Sequence, residues 1–504
     1  MLPAHNVINL LARFMLCFLL ANAYAATAAA ELATTASTAA KSHPDQSGFH
    51  ILDTGQEAFL YRAAMIDAAQ STIDAQYYIW NSDTSGVYLA RRLLLAADRG
   101  VQVRVVLDDI NLGGRDDVLA LFAAHPNIDI RVYNPAPVRD GFGKWLSFLG
   151  DFDRLNRRMH NKSFIVDGAI GIIGGRNIGD EYFDEHATLN FRDRDVMAVG
   201  PIVDGFSANF EAFWESEWSR PVAELASEAA SEAEYASRVA EARAQASDTA
   251  GLKLALPMGQ DAGLEILAER IDKLVWAEAD FIFEPPFTDP DEFPEELTAA
   301  AKALADAVRA SESEVLIESA YFILDEAALA NIRELNADPL RIAVLTNSLA
   351  SNDVVPNHAG YARWRPEVLE HGFELFELRP DAEACTVWVA YEEFCADGDI
   401  GLHSKTAVFD RKVLYVGSFN ANLRAMYLNG ETVLLIRSPE LAAEVAASIE
   451  TGMTRANSWQ VELDEDGDLQ WQGQTQTLSS EPDTDWWLRT KAWMISLLPI
   501  EDYL

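Results

Sequence analysis

The sequence predicts an α/β protein built as two similar layers in tandem, a reading that rests on length, alternation and an internal repeat. At 504 residues the chain exceeds what one ordinary core holds. Its hydrophobic share of 49% is enough to bury a large interior. Short β-rich runs alternate with Ala-rich helical patterns, as in layered α/β folds. The same runs then recur in the same order later in the chain, which marks a duplication.

Taken from the start, residues 1–25 read as an export signal. A short opening contains Arg13, an apolar run follows from Phe14 to Leu20, and small residues offer cleavage at Ala21-Asn22-Ala23 or Ala23-Tyr24-Ala25. Arg13 and Asn22 leave that run shorter than the ~20 apolar residues a membrane span needs. Cleavage is therefore expected over an anchor, and the mature protein is expected to be exported, periplasmic or peripheral on the envelope membrane. Residues 45–219 hold the first repeat and 263–458 the second. The Ala/Glu-rich stretch 220–262 reads as an exposed helical connector, and 459–504 as a Trp-rich extension.

The repeat is legible strand by strand. STIDAQYYIW from Ser71 resembles SEVLIESAYFI from Ser313, and GVQVRVVLDD from Gly100 resembles PLRIAVLTNS from Pro339. IDIRVYNP from Ile128 answers FELFELRP from Phe373, and MHNKSFIVDGAIGIIGGRN from Met159 answers LHSKTAVFDRKVLYVGSFN from Leu402. Tyr78 precedes His160 by 82 residues and Tyr321 precedes His403 by the same 82. That spacing makes the two tyrosines equivalent candidates for substrate binding.

Composition narrows the function. Asp plus Glu number 79 against 39 Lys plus Arg, a formal charge of −40. Such a surface argues against a general nucleic-acid binder, which needs basic groups to neutralise phosphates. Of the three cysteines, Cys17 would leave with the signal. Cys385 and Cys395 stand ten apart, either paired in an oxidising compartment or buried as free thiols. They lack companion ligands at zinc spacing, so no metal site is expected.

The chemistry lies in the last repeated segment. Each copy carries His-x-Lys, then Asp, then Gly-[Gly/Ser]-x-Asn. The first copy has His160, Lys162, Asp167, Gly174, Gly175 and Asn177; the second has His403, Lys405, Asp410, Gly417, Ser418 and Asn420. On a strand, residues two apart share a face, and a turn at Asp167-Gly168 or Asp410-Arg411 brings the asparagine back beside the histidine. An ammonium and an amide can hold non-bridging phosphate oxygens. A histidine can attack phosphorus or protonate a departing oxygen, but one histidine cannot do both on opposite sides of an in-line displacement. Two facing copies supply one for each task, and neither metal nor cofactor is required by these groups.

At these residues the sequence resembles the phospholipase D superfamily, over roughly residues 45–460. The resemblance implies two tandem phospholipase D-like α/β/α sandwich domains with pseudo-twofold symmetry, one shared active site and a phosphohistidine intermediate. It implies His160 as nucleophile and His403 as general acid then base, with the swap left open. It assigns Asp167 and Asp410 to structural turns and calls for a carboxylate to fix each histidine's tautomer. Glu431 matches that position in the second half; in the first, Asp193 matches and Asp195 is the fallback. The departure is Gly175, where the family usually has serine; Ser418 is retained, so one potential phosphate hydrogen bond is lost from one half.

Within the superfamily, GGRNIGDEYF from Gly174, NHAGYARWRPEVLEHGFELFEL from Asn357 and the closing LLPIEDYL resemble the C-type bacterial cardiolipin synthases. This implies transfer of a phosphatidyl group, from phosphatidylethanolamine or a second phosphatidylglycerol, to phosphatidylglycerol. The rivals are a hydrolase releasing phosphatidic acid and an exported phosphodiesterase or nuclease. The stretch from Val138 to Lys162 mixes Trp145, Phe148, Leu149 and Phe152 with Arg139, Lys144, Arg154, Arg157 and Arg158. It is either a lipid-headgroup insertion surface or a long loop with some buried aromatics. The expected partners are phospholipids at a membrane surface, without nucleic acid. A monomer is expected, with an oligomer left open.

Overall fold

The β-rich runs fold into strands whose order repeats, half against half. The computed structural model describes residues 34–139, 151–226, 232–245, 251–253, 259–288, 296–324, 328–330, 340–389 and 391–498. The expected leader, the residues Lys144, Trp145, Phe148 and Leu149, and the closing residues of LLPIEDYL lie outside the described residues. The first half contributes β1 (Ser47–Leu52), β2 (Thr72–Tyr77), β3 (Gln102–Asp108), β4 (Ile128–Tyr133), β5 (Lys162–Val166), β6 (Ile170–Gly174), β7 (Leu189–Arg192), β8 (Asp195–Val199) and β9 (Ser219–Pro221). The second contributes β10 (Val275–Phe283), β11 (Glu314–Ser319), β12 (Arg341–Asn347), β13 (Glu374–Leu378), β14 (Asp399–Leu402), β15 (Lys405–Phe409), β16 (Val413–Gly417), β17 (Thr432–Arg437) and β18 (Ser458–Leu463).

Among the described residues the first sheet runs β9-β4-β3-β2-β5-β6-β8-β1. The second runs β18-β13-β12-β11-β15-β16-β17-β10, the same order. The three strands β2, β3 and β4 are parallel, as are β11, β12 and β13. Their apolar runs, such as Val103, Val105, Val106 and Leu107 in β3, are buried, as suits strands covered on both faces. The equivalent edges β1 and β10 pair antiparallel, with Gly48 opposite Trp276. The two sheets thus join edge to edge about the pseudo-twofold axis.

Helices α1 (Gly55–Ala68), α2 (Thr84–Asp98), α3 (Ile202–Trp214), α4 (Glu232–Ala244), α5 (Gln260–Ile271) and α6 (Pro439–Gly452) build the layers around the site. Thr54 caps α1 by accepting from the Glu57 amide and Asp83 caps α2 by accepting from Gly86, each worth about 1 kcal/mol. The outer face of the first sheet is packed by Phe59, Met65, Leu89 and Leu93. Between the halves, Phe206, Phe210 and Phe213 of α3 join Leu441, Val445 and Ile449 of α6 in a single core that includes strands of both sheets. At about 1.5–3 kcal/mol per fully buried apolar side chain, that shared core makes the two repeats one unit.

Two expected limits fall inside elements, and the connector is less exposed than expected. The limit at 263 falls inside α5, which packs on α1 of the first half with Leu267 and Ile271 in its core. Gly263 permits that approach, since a Cβ there would stand 2.8 Å from the Ala64 carbonyl oxygen. The limit at 458 cuts β18, whose Trp459 is fully buried, so the Trp-rich extension begins as a sheet strand equivalent to β9. The connector is helical at α4, but Val239 is buried against the first half rather than free in solvent. Cys385 and Cys395 form a disulfide with Cα atoms 5.7 Å apart, the first of the two states open to them.

Candidate active site

The hairpins place the two motifs at equivalent sheet ends. Lys162 opens β5 opposite Tyr77, and Lys405 opens β15 opposite Ser319. His160 and His403 stand two residues ahead of them, both buried. At the far end of each hairpin sit Asp167 and Asp410, with positive φ of 54° and 49°. Asp167 Oδ1 accepts from the Ser71 amide at 2.7 Å, the Ser71 hydroxyl at 2.8 Å and the Thr72 amide at 3.0 Å. Asp410 Oδ1 does the same with Ser313 and Glu314. These aspartates pin each turn to the start of β2 or β11, remote from the histidines.

Main-chain pairing then stitches each histidine to the opposite half. The His160 amide donates to the Gly430 carbonyl at 2.8 Å, and the Gly430 amide donates to the Arg158 carbonyl at 2.8 Å. On the other side β14 runs parallel to β7, and the His403 amide donates to the Arg192 carbonyl at 2.9 Å. The carboxylates next in sequence therefore arrive crosswise. Glu431 Oε2 accepts from His160 Nδ1 at 3.0 Å, and Asp193 Oδ2 accepts from His403 Nδ1 at 2.6 Å. Each contact fixes a tautomer with Nδ1 protonated and the Nε2 lone pair free.

Asp195 is elsewhere: its carboxylate forms a buried ion pair with Arg62 at 2.9 Å and accepts from the Arg176 amide. The two carboxylates are also supported differently. Glu431 takes the Ser418 hydroxyl at 2.5 Å and Asn429 Nδ2 at 3.1 Å; Asp193 takes the Arg194 amide at 2.7 Å. Ser418 thus directs its hydroxyl proton to a carboxylate here, where a phosphate hydrogen bond was expected of it. At Gly175 a Cβ would lie 2.1 Å from Asp193 Oδ1. Glycine makes room for the shorter acid, and the sequence difference is a compensated pair, Gly–Asp against Ser–Glu.

Electrostatics leave the site short of negative charge. Burial lowers the Lys162 ammonium to about 7, with Glu431 opposing and Lys405 adding to the fall. Burial lowers Lys405 to about 8 against the pull of Asp193. Burial and then Lys405 bring His403 down to about 4 despite Asp193, and burial with both lysines holds His160 well below its ordinary value. Burial lifts Glu431 to about 7. For Asp193 burial acts upward, but His403, Lys405 and Arg176 outweigh it and hold the acid well below the usual range. Both imidazoles are accordingly neutral at pH 7, and an arriving anion would restore the lysines' charge.

The tyrosines depart from the expected equivalence. Strand register matches Ile73 with Val315 and Tyr77 with Ser319, so Tyr78 corresponds to Ala320 and Tyr321 to Ile79. The shared 82-residue spacing is a one-residue slip, and in a strand such a slip reverses the face. Tyr78 meets His160 edge-on at 4.8 Å, with Lys162 Nζ 5.2 Å from its ring centre. Tyr321 instead donates its hydroxyl to Asp353 at 2.9 Å. The ring against His403 belongs to Tyr182, at 5.1 Å, with Phe191 at 5.5 Å. Tyr182 lies five residues past Asn177 in GGRNIGDEYF, so the motif itself points to it, whereas Phe191, Asp353 and Arg424 carry no such signal.

Asn177 Oδ1 accepts from the Ile79 amide at 3.2 Å. Its Nδ2, like Asn420 Oδ1, is buried without a hydrogen-bond partner. The described part of the expected basic, aromatic stretch turns inward. Arg139 pairs with Asp109 and Asp116, Arg154 with Asp151, and Arg158 with Asp108, while Arg157 is buried with its guanidinium 5.3 Å from the Phe287 ring centre. These arginines do not form a lipid-facing patch. Among the described residues, no helix is long and apolar enough to cross a membrane.

Comparison with known proteins agrees with this geometry. A family model described as "Cardiolipin synthase, PLD-like domain" matches residues 63–214 and again 304–452. Cardiolipin synthase C of Escherichia coli is 35% identical over 463 residues, covering 91% of this chain and 96% of its own. Cardiolipin synthase A of Pseudomonas entomophila is 24% identical over 421 residues, 81% of this chain and 68% of that one. Among solved structures, phosphatidylserine synthase of Haemophilus influenzae superimposes with a TM-score of 0.59 at 13% identity, covering 93% of this chain and all of that one. The last likeness concerns the fold.

Proposed function

The chain belongs to the cardiolipin synthase family of phospholipase D-like proteins, a phosphatidyltransferase of phospholipid biosynthesis, and from that premise we propose that it makes cardiolipin by transferring a phosphatidyl group to phosphatidylglycerol. The observation that carries this reading is the crossed pair of buried histidines, each oriented by a carboxylate of the other half. His160, neutral and held by Glu431, attacks the donor phosphorus through Nε2. The phosphorus–nitrogen bond forms as the bond to the headgroup oxygen breaks, and a proton from His403 Nε2 caps the departing oxygen. Lys162, Lys405 and Asn177 hold the non-bridging oxygens as charge builds on them.

In the second step His403 takes the proton of a phosphatidylglycerol hydroxyl, whose oxygen attacks phosphorus and frees His160. The depressed lysine and histidine values support an anionic substrate: a phosphodiester restores the ammonium charges and raises His403 toward the protonated form that general acid catalysis needs. The donor in this proposal is phosphatidylethanolamine, with a second phosphatidylglycerol as the alternative that the released headgroup distinguishes. We also read residues 1–25 as an export signal, a reading the Cys385–Cys395 disulfide supports because such bonds persist in oxidising compartments.

The test uses the purified chain with liposomes of phosphatidylethanolamine and phosphatidylglycerol, products being resolved by mass spectrometry. Cardiolipin with released ethanolamine is expected. Phosphatidic acid as sole product would replace transfer by hydrolysis, and full activity in both His160→Ala and His403→Ala would overturn the shared site.

A further inference from the structure

The pseudo-twofold is broken in charge at the mouth of the site. Counting on from the paired asparagines, Arg424 of the second half occupies the position of Glu181 in the first, and Ala425 that of Tyr182. The bridges Trp80–Ile178 and Phe322–Ala421 fix that correspondence. On the His160 side Arg424 donates to the Asn156 carbonyl at 2.8 Å and to Asn156 Oδ1 at 3.2 Å. Its positive field bears on His160.

The His403 side is acidic and aromatic. Tyr182 stands edge-on to His403, and Tyr321 donates to Asp353 at 2.9 Å. Asp353 is exposed, and its charge acts on Lys405, Tyr182 and Tyr321. Glu181, bonded to Asn81 at 2.9 Å, adds a second carboxylate beside Tyr182. An exposed carboxylate that accepts from one phenol, with a second phenol close enough to feel its charge, suits a small ammonium group, which gains ion pairing and an aromatic neighbour.

We infer that Asp353, with Tyr321 and Tyr182, is the subsite for the departing headgroup and selects donors whose headgroup carries an ammonium. This rests on the phosphatidyl-transfer reading, in which the headgroup leaves on the His403 side. Arg424 sets the opposite polarity on the His160 side. The two mouths of one symmetric fold therefore address opposite ends of the donor: the anionic phosphatidyl end lies toward His160 and the cationic alcohol toward His403.

The full chain is assayed on liposomes of phosphatidylglycerol containing either phosphatidylethanolamine or its N-acetyl derivative, whose headgroup nitrogen is uncharged. Initial rates of headgroup release are compared as a ratio. The wild type is expected to favour the ammonium donor, and Asp353→Asn to reduce that preference by about three- to tenfold, in line with a partly solvated charge contact. Asp353→Lys should reduce it further, and Asp353→Glu should retain part of it. A ratio unchanged in Asp353→Asn and Asp353→Lys, including the case where both rates fall together, overturns the subsite and leaves phosphatidyl transfer standing. No headgroup release from either donor by the wild type overturns the subsite, and the absence of cardiolipin and of released glycerol as well overturns phosphatidyl transfer too.

Discussion

The crossing of histidines and carboxylates predicts that each acid serves the histidine of the other repeat, and two isosteric substitutions separate the pairs. Asp193→Asn keeps size but removes the charge that stabilises His403 when it is protonated. Both groups are buried and 2.6 Å apart. Breaking a buried charged pair by neutralising one partner costs roughly 3–5 kcal/mol, which at 1.36 kcal/mol per decade is about 10²- to 10⁴-fold. That loss should fall on the step in which His403 donates a proton. With an alkyl headgroup, release should slow by this factor. With a nitrophenyl phosphodiester, whose leaving oxygen needs no proton, Asp193→Asn should approach the wild-type rate of nitrophenol release. Glu431→Gln should slow both substrates, because His160 must attack in either case. The assay is stopped-flow release of nitrophenol beside mass-spectrometric release of ethanolamine. If Asp193→Asn loses equally on both substrates while Glu431→Gln spares the nitrophenyl ester, the histidine roles are reversed. If the two variants behave alike, the crossed pairs do not divide the chemistry.

Gly175→Ser, which would make the two motifs alike, should lower turnover at least 100-fold, since its Cβ would fall 2.1 Å from Asp193 Oδ1 and push that acid off His403; a crystal structure and kcat check it. Asp167→Ala and Asp410→Ala should each cost roughly 2–3 kcal/mol, the discounted worth of several charge-assisted hydrogen bonds at a partly exposed turn; a lowered Tm with near-normal kcat at low temperature is the expected outcome. The ratio kcat/KM should fall as pH rises through about 7 to 8, where Lys162 and Lys405 lose their protons in the free protein. Lys162→Arg, which stays protonated, should remove the lower of these two ionisations and move that alkaline limb up toward about 8, as a pH–rate profile would record.

Much of this was legible in the sequence because it is local. A hairpin needs only its own alternation and a turn, so β5–β6 and β15–β16 could be read from MHNKSFIVDGAIGIIGGRN and LHSKTAVFDRKVLYVGSFN, along with the turns that hold Asp167 and Asp410. The duplication implied that the two halves share one strand order, because the same run of strands has to close in the same way twice, but not what that order is. What failed was register. Equal spacing from tyrosine to histidine suggested that Tyr78 and Tyr321 were partners, yet the intervening loops differ by a residue and the strand pairing is set by hydrogen bonds rather than by count. One residue of slip turned Tyr321 to Asp353 and left His403 to Tyr182.

The crossing itself lay beyond sequence for a different reason. Nothing within either repeat says that Glu431 reaches His160, since within its own half it sits 28 residues past His403. The pairing is decided where the repeats meet: β14 lies parallel to β7, and residues 158–160 bond to Gly430. Those contacts depend on β1 joining β10 and on the core shared by α3 and α6. Either repeat alone would hold a histidine without its orienting acid and an acid without its histidine. The site is therefore a property of the assembled pair. This also accounts for Gly175: once each half supplies the other's acid, a change from Glu to Asp in one half can be absorbed by removing a side chain in that same half, without disturbing the partner. Duplication gave two equal sites' worth of groups, and crossing made them one site whose halves could diverge separately.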